Sequence, residues 1–329
     1  MPPENGYAGT REAGPGERSG GREQLLDIQR GRLVAATTQL AAEHGVGKLS
    51  VSAIVARSGV SRRTFYEVFP DVRECLLAAL EESLGHARVR MGEAYDAHAP
   101  WRLRIRLGLH ALLCLFEDEP TRGRLLVVEA PGAGQDALLR RAQVLGELSD
   151  AVDEGGAETG RSAALTALTA EGLVGSALAI VHARLVVEGA PGLVELTNPL
   201  MSMIVLPYLG AAAARKELEQ PLPKRRRRES QPTDGASRLN TLPMRITYRT
   251  MRVLRTIGAH PGASNREIGK TAGMSDQGQV SKLLQRLDRL GLIVNTTTSD
   301  ERGMANAWQL TPAGAEIEQA TNHAWKAGD

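Results

Sequence analysis

Gly59-Val60-Ser61-Arg62-Arg63-Thr64-Phe65-Tyr66-Glu67-Val68-Phe69 is the stretch whose reading decides the fold. Gly59 is the residue type that enters a positive-φ turn without penalty, and Ser61 after it can cap a short helix. On that helix Phe65 and Phe69 lie four apart and face inward, while Arg62, Arg63, Thr64 and Tyr66 stay outside. Before the turn, Ile54 and Val55 follow Val51 by one helical turn, and Ser50 precedes them as an N-cap. Two short amphipathic helices meeting at a glycine, with donors gathered at the start of the second, suit insertion into a major groove. The candidate DNA contacts are Ser61, Arg62, Arg63, Thr64 and Tyr66, with Lys48, Ser50 and Ser52 near the start of the preceding helix. The competing reading is a small helical subdomain whose arginines only solvate its surface. The aromatics weigh against it: the chain has three Phe, five Tyr and three Trp, and Phe65, Tyr66 and Phe69 sit together. A Tyr beside inward Phe residues can rest its ring on the core and offer its hydroxyl to a phosphate.

Working outward, Leu33, Thr37, Leu40 and Ala41 recur at helical spacing within a helix expected over 24–44, with Gly45 as its stop. On the other side, Pro70 cannot continue the second helix, and Asp71 with Glu74 has the spacing of a capping box. Leu76, Leu80 and Leu84 then mark a helix that should run to about residue 97.

The residues Ile54-Val55-Ala56, Ser58-Gly59-Val60-Ser61, Thr64-Phe65-Tyr66, Phe69-Pro70 and Leu76-Leu77 together resemble the TetR family of one-component repressors. The resemblance implies a three-helix DNA-binding head, a helical ligand and dimerisation body, and two-fold binding to a palindromic operator. Members usually carry Lys two residues after the Pro; Val72 stands there, so a phosphate contact at that helix start would move to Arg73.

The totals set bounds. A chain of 329 residues suggests two or more domains. A formal net charge of +2 means that any DNA affinity must come from local patches. Cys75 and Cys114 have no metal-ligand spacing and suggest a reducing cytosol rather than a disulfide framework. No charge-free apolar run is expected to reach the roughly 18–20 residues of a membrane span. The start of the chain lacks a signal peptide's apolar core, and the protein is expected to be cytoplasmic. Residues 1–22 are rich in Gly, Pro, Glu and Arg and are expected to be a disordered tail.

From 71 to 216 the pattern is helical, with helices expected near 101–117, 120–129, 134–153, 161–188 and 192–216. The last two are unusually apolar, and 163–187 carries a small-residue face at Gly172, Gly175 and Ala177. Helices of about 163–187 and 193–214 are the expected homodimer interface. An apolar cavity in this body would hold a hydrophobic small-molecule effector. Its candidate residues are Trp101, His110, Cys114, Phe116, Glu129, His182 and Tyr208. Residues 217–243 form a Pro-containing linker with the basic run Lys224-Arg225-Arg226-Arg227-Arg228, which is either a solvated hinge or a phosphate contact.

A second reader is expected over 244–323, followed by a short tail, 324–329. Ser264 with Glu267 forms a capping box, Gly273 turns the chain, and Ser275 or Asp276 caps a longer helix. Val280, Leu283, Leu284 and Leu287 face in on that helix. Asn265, Ser275, Gln277, Gln279, Ser281, Lys282, Gln285 and Arg286 are the candidate DNA contacts, since Gln and Arg suit base edges and Ser and Lys suit phosphates. Two strands around a polar loop that holds Arg302 follow, then a helix begun by Thr311-Pro312. Ser281-Lys282-Leu283-Leu284-Gln285-Arg286-Leu287, Gly291-Leu292-Ile293, Asp300 and Arg302, and Leu310-Thr311-Pro312-Ala313-Gly314 resemble MarR-like winged-helix domains, which implies that Arg302 of the wing could enter a minor groove.

The fold expected is mainly all-α, with a small β-hairpin in the winged domain. The function expected is a dimeric, ligand-responsive repressor with a head over 23–70, a body over 71–216 and a winged helix. The alternative is a regulator whose winged helix contacts a protein. An enzyme is the weakest reading: no nucleophile–base pair, Gly-rich phosphate loop or metal cluster appears, and no cofactor is implied.

Overall fold

The computed structural model describes residues 15–94, 98–159, 167–187, 192–224, 239–240, 242–244, 246–297 and 306–326. Its elements run α1 (Pro15–His44), α2 (Val51–Ser58), α3 (Arg62–Val68), α4 (Val72–Ala94), α5 (Trp101–Asp118), α6 (Pro120–Arg124), α7 (Gln135–Thr159), α8 (Ala167–Val186), α9 (Thr197–Leu218), α10 (Tyr248–Ala259), α11 (Asn265–Thr271), α12 (Gln277–Arg289), β1 (Ile293–Asn295), β2 (Trp308–Leu310) and α13 (Pro312–Lys326). Helices dominate, and the described strands form one antiparallel pair, as the sequence pattern implies.

Two compact units divide the chain: one takes residues 1–32, 58–64 and 229–329, the other 33–57 and 65–228. Helix α1 therefore contributes to both. It reaches back to Pro15, well before the expected start near residue 24. The expected tail coincides with this helix from residue 15 onward, and the rest of it lies outside the described residues.

In the first unit, the core is built from Val253, Leu254 and Ile257 of α10, Ile268 of α11, Val280, Leu284 and Leu287 of α12, and Ile293, Trp308 and Ile317. Ile28 of α1 joins that cluster, with Leu25 packed against it. The hairpin pairs Ile293 with Leu310 and Asn295 with Trp308. Local caps fix the ends: Ser264 and Glu267 form the reciprocal box, and Asp276 accepts from the Gly278 and Gln279 N–H groups at 2.8 and 3.2 Å. Thr311 Oγ1 accepts from Gly314 N at 3.1 Å. A Cβ on Gly314 would overlap the Leu292 carbonyl, so only glycine lets α13 approach the hairpin this closely.

The same unit holds a buried cation. Arg32 is 2% exposed. Its Nε and Nη2 donate to the Ser58 carbonyl at 2.9 and 2.7 Å. Nη1 donates to the Leu239 carbonyl at 3.2 Å, and Nη2 to the Leu242 carbonyl at 2.8 Å. Ser58 ends α2, where the negative end of the helix dipole favours a cation. Burial pulls the guanidinium down to about 10, so it remains charged at neutral pH.

The second unit is a helical body. One cluster joins Ala87, Leu113, Leu115, Phe116, Val127, Val181, Leu185 and Leu200. Another joins Trp101, Val152, Met201, Ile204, Val205 and Tyr208. Where one helix was expected over 120–129, α6 runs into a π-helical turn at Leu125–Glu129 and a tight turn at Ala130–Gly132. Helix α9 breaks at Gly210, whose φ of 80° lies in the left-handed region, just after Pro207, which has no N–H to give. Glu217 is fully buried and paired with Arg102 and Arg106 at 2.5 and 2.6 Å.

Residues 196–214 contain no charged side chain, which corrects the expectation about apolar runs. Two helices, Leu168–Val186 and Val194–Leu218, are long and apolar enough to cross a membrane by length and composition. Within the chain, Leu200, Met201, Val205 and Tyr208 of the second are buried in the clusters of the body.

Candidate DNA interfaces and effector cavity

The helix–turn–helix forms as its residue types dictate. Ser50 Oγ accepts from Ala53 N at 3.2 Å and opens α2. Gly59 adopts φ 66° at the turn. Ser61 Oγ accepts from Thr64 N at 3.1 Å and shares a hydroxyl–hydroxyl bond of 2.8 Å with Thr64, so both oxygens first serve to fix the start of α3. Phe65 and Phe69 are buried with ring centroids 6.2 Å apart. Tyr66 is 51% exposed, its ring edge-on to Phe65 at 5.4 Å. Arg62 and Arg63 are exposed beside it, as are Lys48, Ser50 and Ser52. One helix end thus presents two guanidiniums, a phenol and a hydroxyl on a rigid apolar base.

Asp71 Oδ1 accepts from Glu74 N at 2.9 Å, the forward half of the expected box, and opens α4. Arg73, the residue expected to make the phosphate contact at this helix start, is 56% exposed. It is ion-paired with Asp136, a partner supplied by α7 that no local spacing reveals.

In the winged domain, Ser275, Gln277, Gln279, Lys282, Gln285 and Arg286 are exposed. Arg249 donates to Gln279 Oε1 at 3.2 Å, and Arg286 donates to the Pro243 carbonyl at 3.4 Å. Two expected contacts, Asn265 and Ser281, are hydrogen-bonded within the domain. Asn265 accepts from Trp308 Nε1 at 2.6 Å and donates to Ser281 Oγ at 3.2 Å, tying α11, α12 and β2 together. Arg302, and Arg225 to Arg228 of the basic run, lie outside the described residues.

Two comparisons place these modules. The family model described as bacterial regulatory proteins, tetR family, matches residues 33–79. The MarR family model matches residues 246–303. The chain joins a TetR-type head to a MarR-type winged helix. Both matched families are DNA-binding regulators, so this TetR- and MarR-type chain is a transcriptional regulator. Among solved structures it is similar to the fatty acid degradation regulator FadR from Bacillus halodurans, at 17% identity over 59% of this chain and 96% of that one, with a TM-score of 0.49. FadR from Bacillus subtilis, solved in complex with stearoyl-CoA, is similar at 19% identity over 53% and 96%, with a TM-score of 0.47. A TetR-like regulator from Rhodococcus sp. RHA1 is similar at 16% identity over 57% and 94%, with a TM-score of 0.44.

The body of this TetR-type regulator holds two adjoining apolar spaces, of about 260 and 270 Å³. Met91, Leu112, Phe116, Leu145, Leu148 and Leu178 line both. Among the seven candidates, only Phe116 lines them. His110 is buried against Thr197, Nδ1 to Oγ1 at 3.2 Å, with Cys114 Sγ 3.5 Å from its other nitrogen. Trp101 donates to the Ala151 carbonyl at 2.9 Å and packs on Tyr208 at 5.0 Å between centroids, in the second cluster of the body. Burial, and then the charge of Asp153, push the Tyr208 hydroxyl up. His182 is exposed. Glu129 accepts from Val46 N at 3.0 Å. Choosing polar and aromatic residues missed the cavity because its walls are aliphatic, and aliphatic side chains at helical spacing look the same whether they face a neighbour or a void.

Proposed function

We propose that the protein is a homodimeric, ligand-responsive transcriptional repressor that works in the cytoplasm and reads DNA with both modules of each chain. The observation that carries the reading is the face of α3: Arg62, Arg63 and Tyr66 stand exposed on a helix whose other side is anchored by Phe65 and Phe69. The Arg residues can pair with guanine edges, and Tyr66 and Thr64 with phosphates. A two-fold dimer would set two such heads on half-sites roughly 34–36 Å apart, or a multiple of it, on a palindrome. Exposed Gln277, Gln279, Lys282, Gln285 and Arg286 on and beside α12 support a second reading surface.

The dimer reading rests on α8, where Leu168, Gly172, Gly175, Ala179, Ala183 and Val186 form one exposed apolar stripe. The ligand reading rests on the two spaces of the body. Leu77, Leu80, Leu84, Ala87 and Met91 of α4 line the second of them, and α4 follows α3 directly in the chain. A ligand that prefers one position of α4 would shift DNA affinity by that preference and no more.

Footprinting of selected DNA with the whole chain and two sets of variants tests this. Arg63→Ala should weaken protection of the palindrome, so that it needs a higher protein concentration. Lys282→Ala with Arg286→Ala should remove flanking protection and leave the palindrome protected. A footprint identical to the unsubstituted chain in the second case would reassign the winged helix to protein contact.

A further inference from the structure

The ligand-responsive reading can be taken one step further, to the chemistry of the ligand, through Arg141. The walls of the two adjoining spaces are almost wholly aliphatic, yet four arginines reach them: Arg104 at the first, and Arg88, Arg140 and Arg141 at the second. Three are matched. Arg104 pairs with Glu154 at 2.9 Å, Arg88 with Glu147 at 2.8 Å and Arg140 with Glu81 at 2.6 Å. Glu81 and Glu147 are also the carboxylates that reach the second space, and both are taken. The Arg88 hydrogen bond holds the Glu147 carboxyl below its ordinary range, so that pair stays ionised.

Arg141 differs. Among the described residues it has no ion pair and no hydrogen bond; its Nε is buried without a hydrogen-bond partner, as are those of Arg104 and Arg140, which pair through their terminal nitrogens. A desolvated guanidinium N–H without an acceptor is unfavourable, and so is a cation facing hydrocarbon. A guanidinium is also the side chain whose planar fork fits a carboxylate through two parallel hydrogen bonds. The fold thus leaves one half-buried guanidinium without an ion pair in the wall of a space otherwise suited to hydrocarbon.

We propose that the effector is an amphipathic carboxylic acid, with its apolar chain among Met91, Leu112, Phe116, Leu145, Leu148 and Leu178 and its carboxylate on Arg141. A neutral hydrophobe of the same shape would fill the space and leave Arg141 as it is. An organic cation would meet it with repulsion. The inference rests on the ligand-responsive reading of the body and names the charge and polarity of the ligand for that same site.

Calorimetric titration of the full chain with decanoate and with decan-1-ol tests it, since the two share a chain and differ in the head. Decanoate should bind at least about tenfold more tightly, the scale of one charge-assisted pair. Arg141→Met should weaken decanoate about tenfold and leave decanol unchanged, while Arg141→Lys should keep the preference for the acid. The inference is overturned if decanol binds the unsubstituted chain as tightly as decanoate, or if Arg141→Met keeps the preference; in either case the ligand-responsive reading stands. If neither compound binds, both fall together.

Discussion

Trp308 Nε1 donates to Asn265 Oδ1 at 2.6 Å, and the same Asn265 amide donates to Ser281 Oγ at 3.2 Å. One side chain thus joins the first residue of α11 to the recognition-type helix α12 and to the strand β2. Trp308 is 5% exposed, so its indole N–H has little recourse to water. Asn265→Ala should therefore destabilise the chain by about 1–3 kcal/mol, the range for leaving buried polar groups unsatisfied. Chemical denaturation monitored by tryptophan fluorescence reads this, and an unchanged midpoint would return Asn265 to the list of candidate DNA contacts.

Arg63 and Arg73 lie ten residues apart on successive helices and should behave differently. Arg63 is exposed on α3, at the face proposed to meet base edges, and Arg73 is paired with Asp136 at the start of α4. Arg63→Ala should lower operator affinity by about 1–3 kcal/mol and relax base preference at one position of each half-site, with thermal stability unchanged. Arg73→Ala should leave operator affinity within about twofold, because Asp136 already offsets its charge and an exposed ion pair contributes at most about 1 kcal/mol. Equal losses in fluorescence-anisotropy titrations would show that Arg73 reaches DNA after all.

Arg32 is the third case. Its guanidinium donates to three carbonyls far from it in sequence, Ser58, Leu239 and Leu242. Arg32→Met keeps the length of the stem and removes every donor. It should destabilise the first unit by about 2–4 kcal/mol, since the Ser58 and Leu239 carbonyls lose the guanidinium, Leu242 keeps only Met244 N, and the methylene packing is retained. Hydrogen exchange would show the loss as faster exchange in α10, α11 and α12. Exchange that is unchanged there would mean that the carbonyls find other donors.

How much of this was legible in the sequence depends on distance along the chain. Caps and turns are local, and Ser50, Ser61, Ser264 with Glu267, Asp276 and Thr311 all take the roles that their spacing implies. So are the inward faces, with Phe65, Phe69, Val280, Leu284 and Leu287 buried as the periodicity requires. What the sequence did not show is long-range. Asp136 captures Arg73, Trp308 captures Asn265, and two backbone carbonyls beyond residue 238 help bury Arg32. Nothing in a helical period encodes such partners. The cavity is the same kind of miss: its lining comes from α4, α5, α7 and α8, and only the packed structure distinguishes Leu112 and Leu145 from ordinary core leucines.

Glu119 gives the body an acid-sensitive contact. Burial raises its pKa, but hydrogen bonds and charges from His86 and Arg122 outweigh burial and hold the carboxyl at about 2. The bonds are 3.0 Å to His86 and 2.6 Å to Arg122. A carboxyl held below its unfolded value of 4.5 contributes stability that is fully present above pH 4.5 and is lost as pH falls toward 2. Glu119→Gln should lower stability by about 1–3 kcal/mol at pH 7 and flatten the acid limb between pH 4.5 and 2. Denaturant midpoints measured across that range decide it: parallel curves for the two proteins would rule Glu119 out as the titrating group.

The exposed face of α8 makes the last prediction. Leu168 is 72% exposed and Val186 48%, one at each end of a stripe whose middle is Gly172, Gly175, Ala179 and Ala183. A helix this apolar with so much of it open to solvent fits burial against a second copy, and small residues let two helices approach closely. Ala179→Arg places a long charged side chain at the centre of the stripe, and Ala179 is exposed in the protomer, so folding should be unaffected. The variant should sediment as a monomer where the unsubstituted chain sediments as a dimer. Its affinity for a full palindrome should fall by about 100-fold, because the second head no longer binds as part of one particle. Its affinity for an isolated half-site should not change. A variant that remains dimeric would move the interface off this stripe, and an unsubstituted chain that is monomeric at micromolar concentration would end the two-fold reading of the operator.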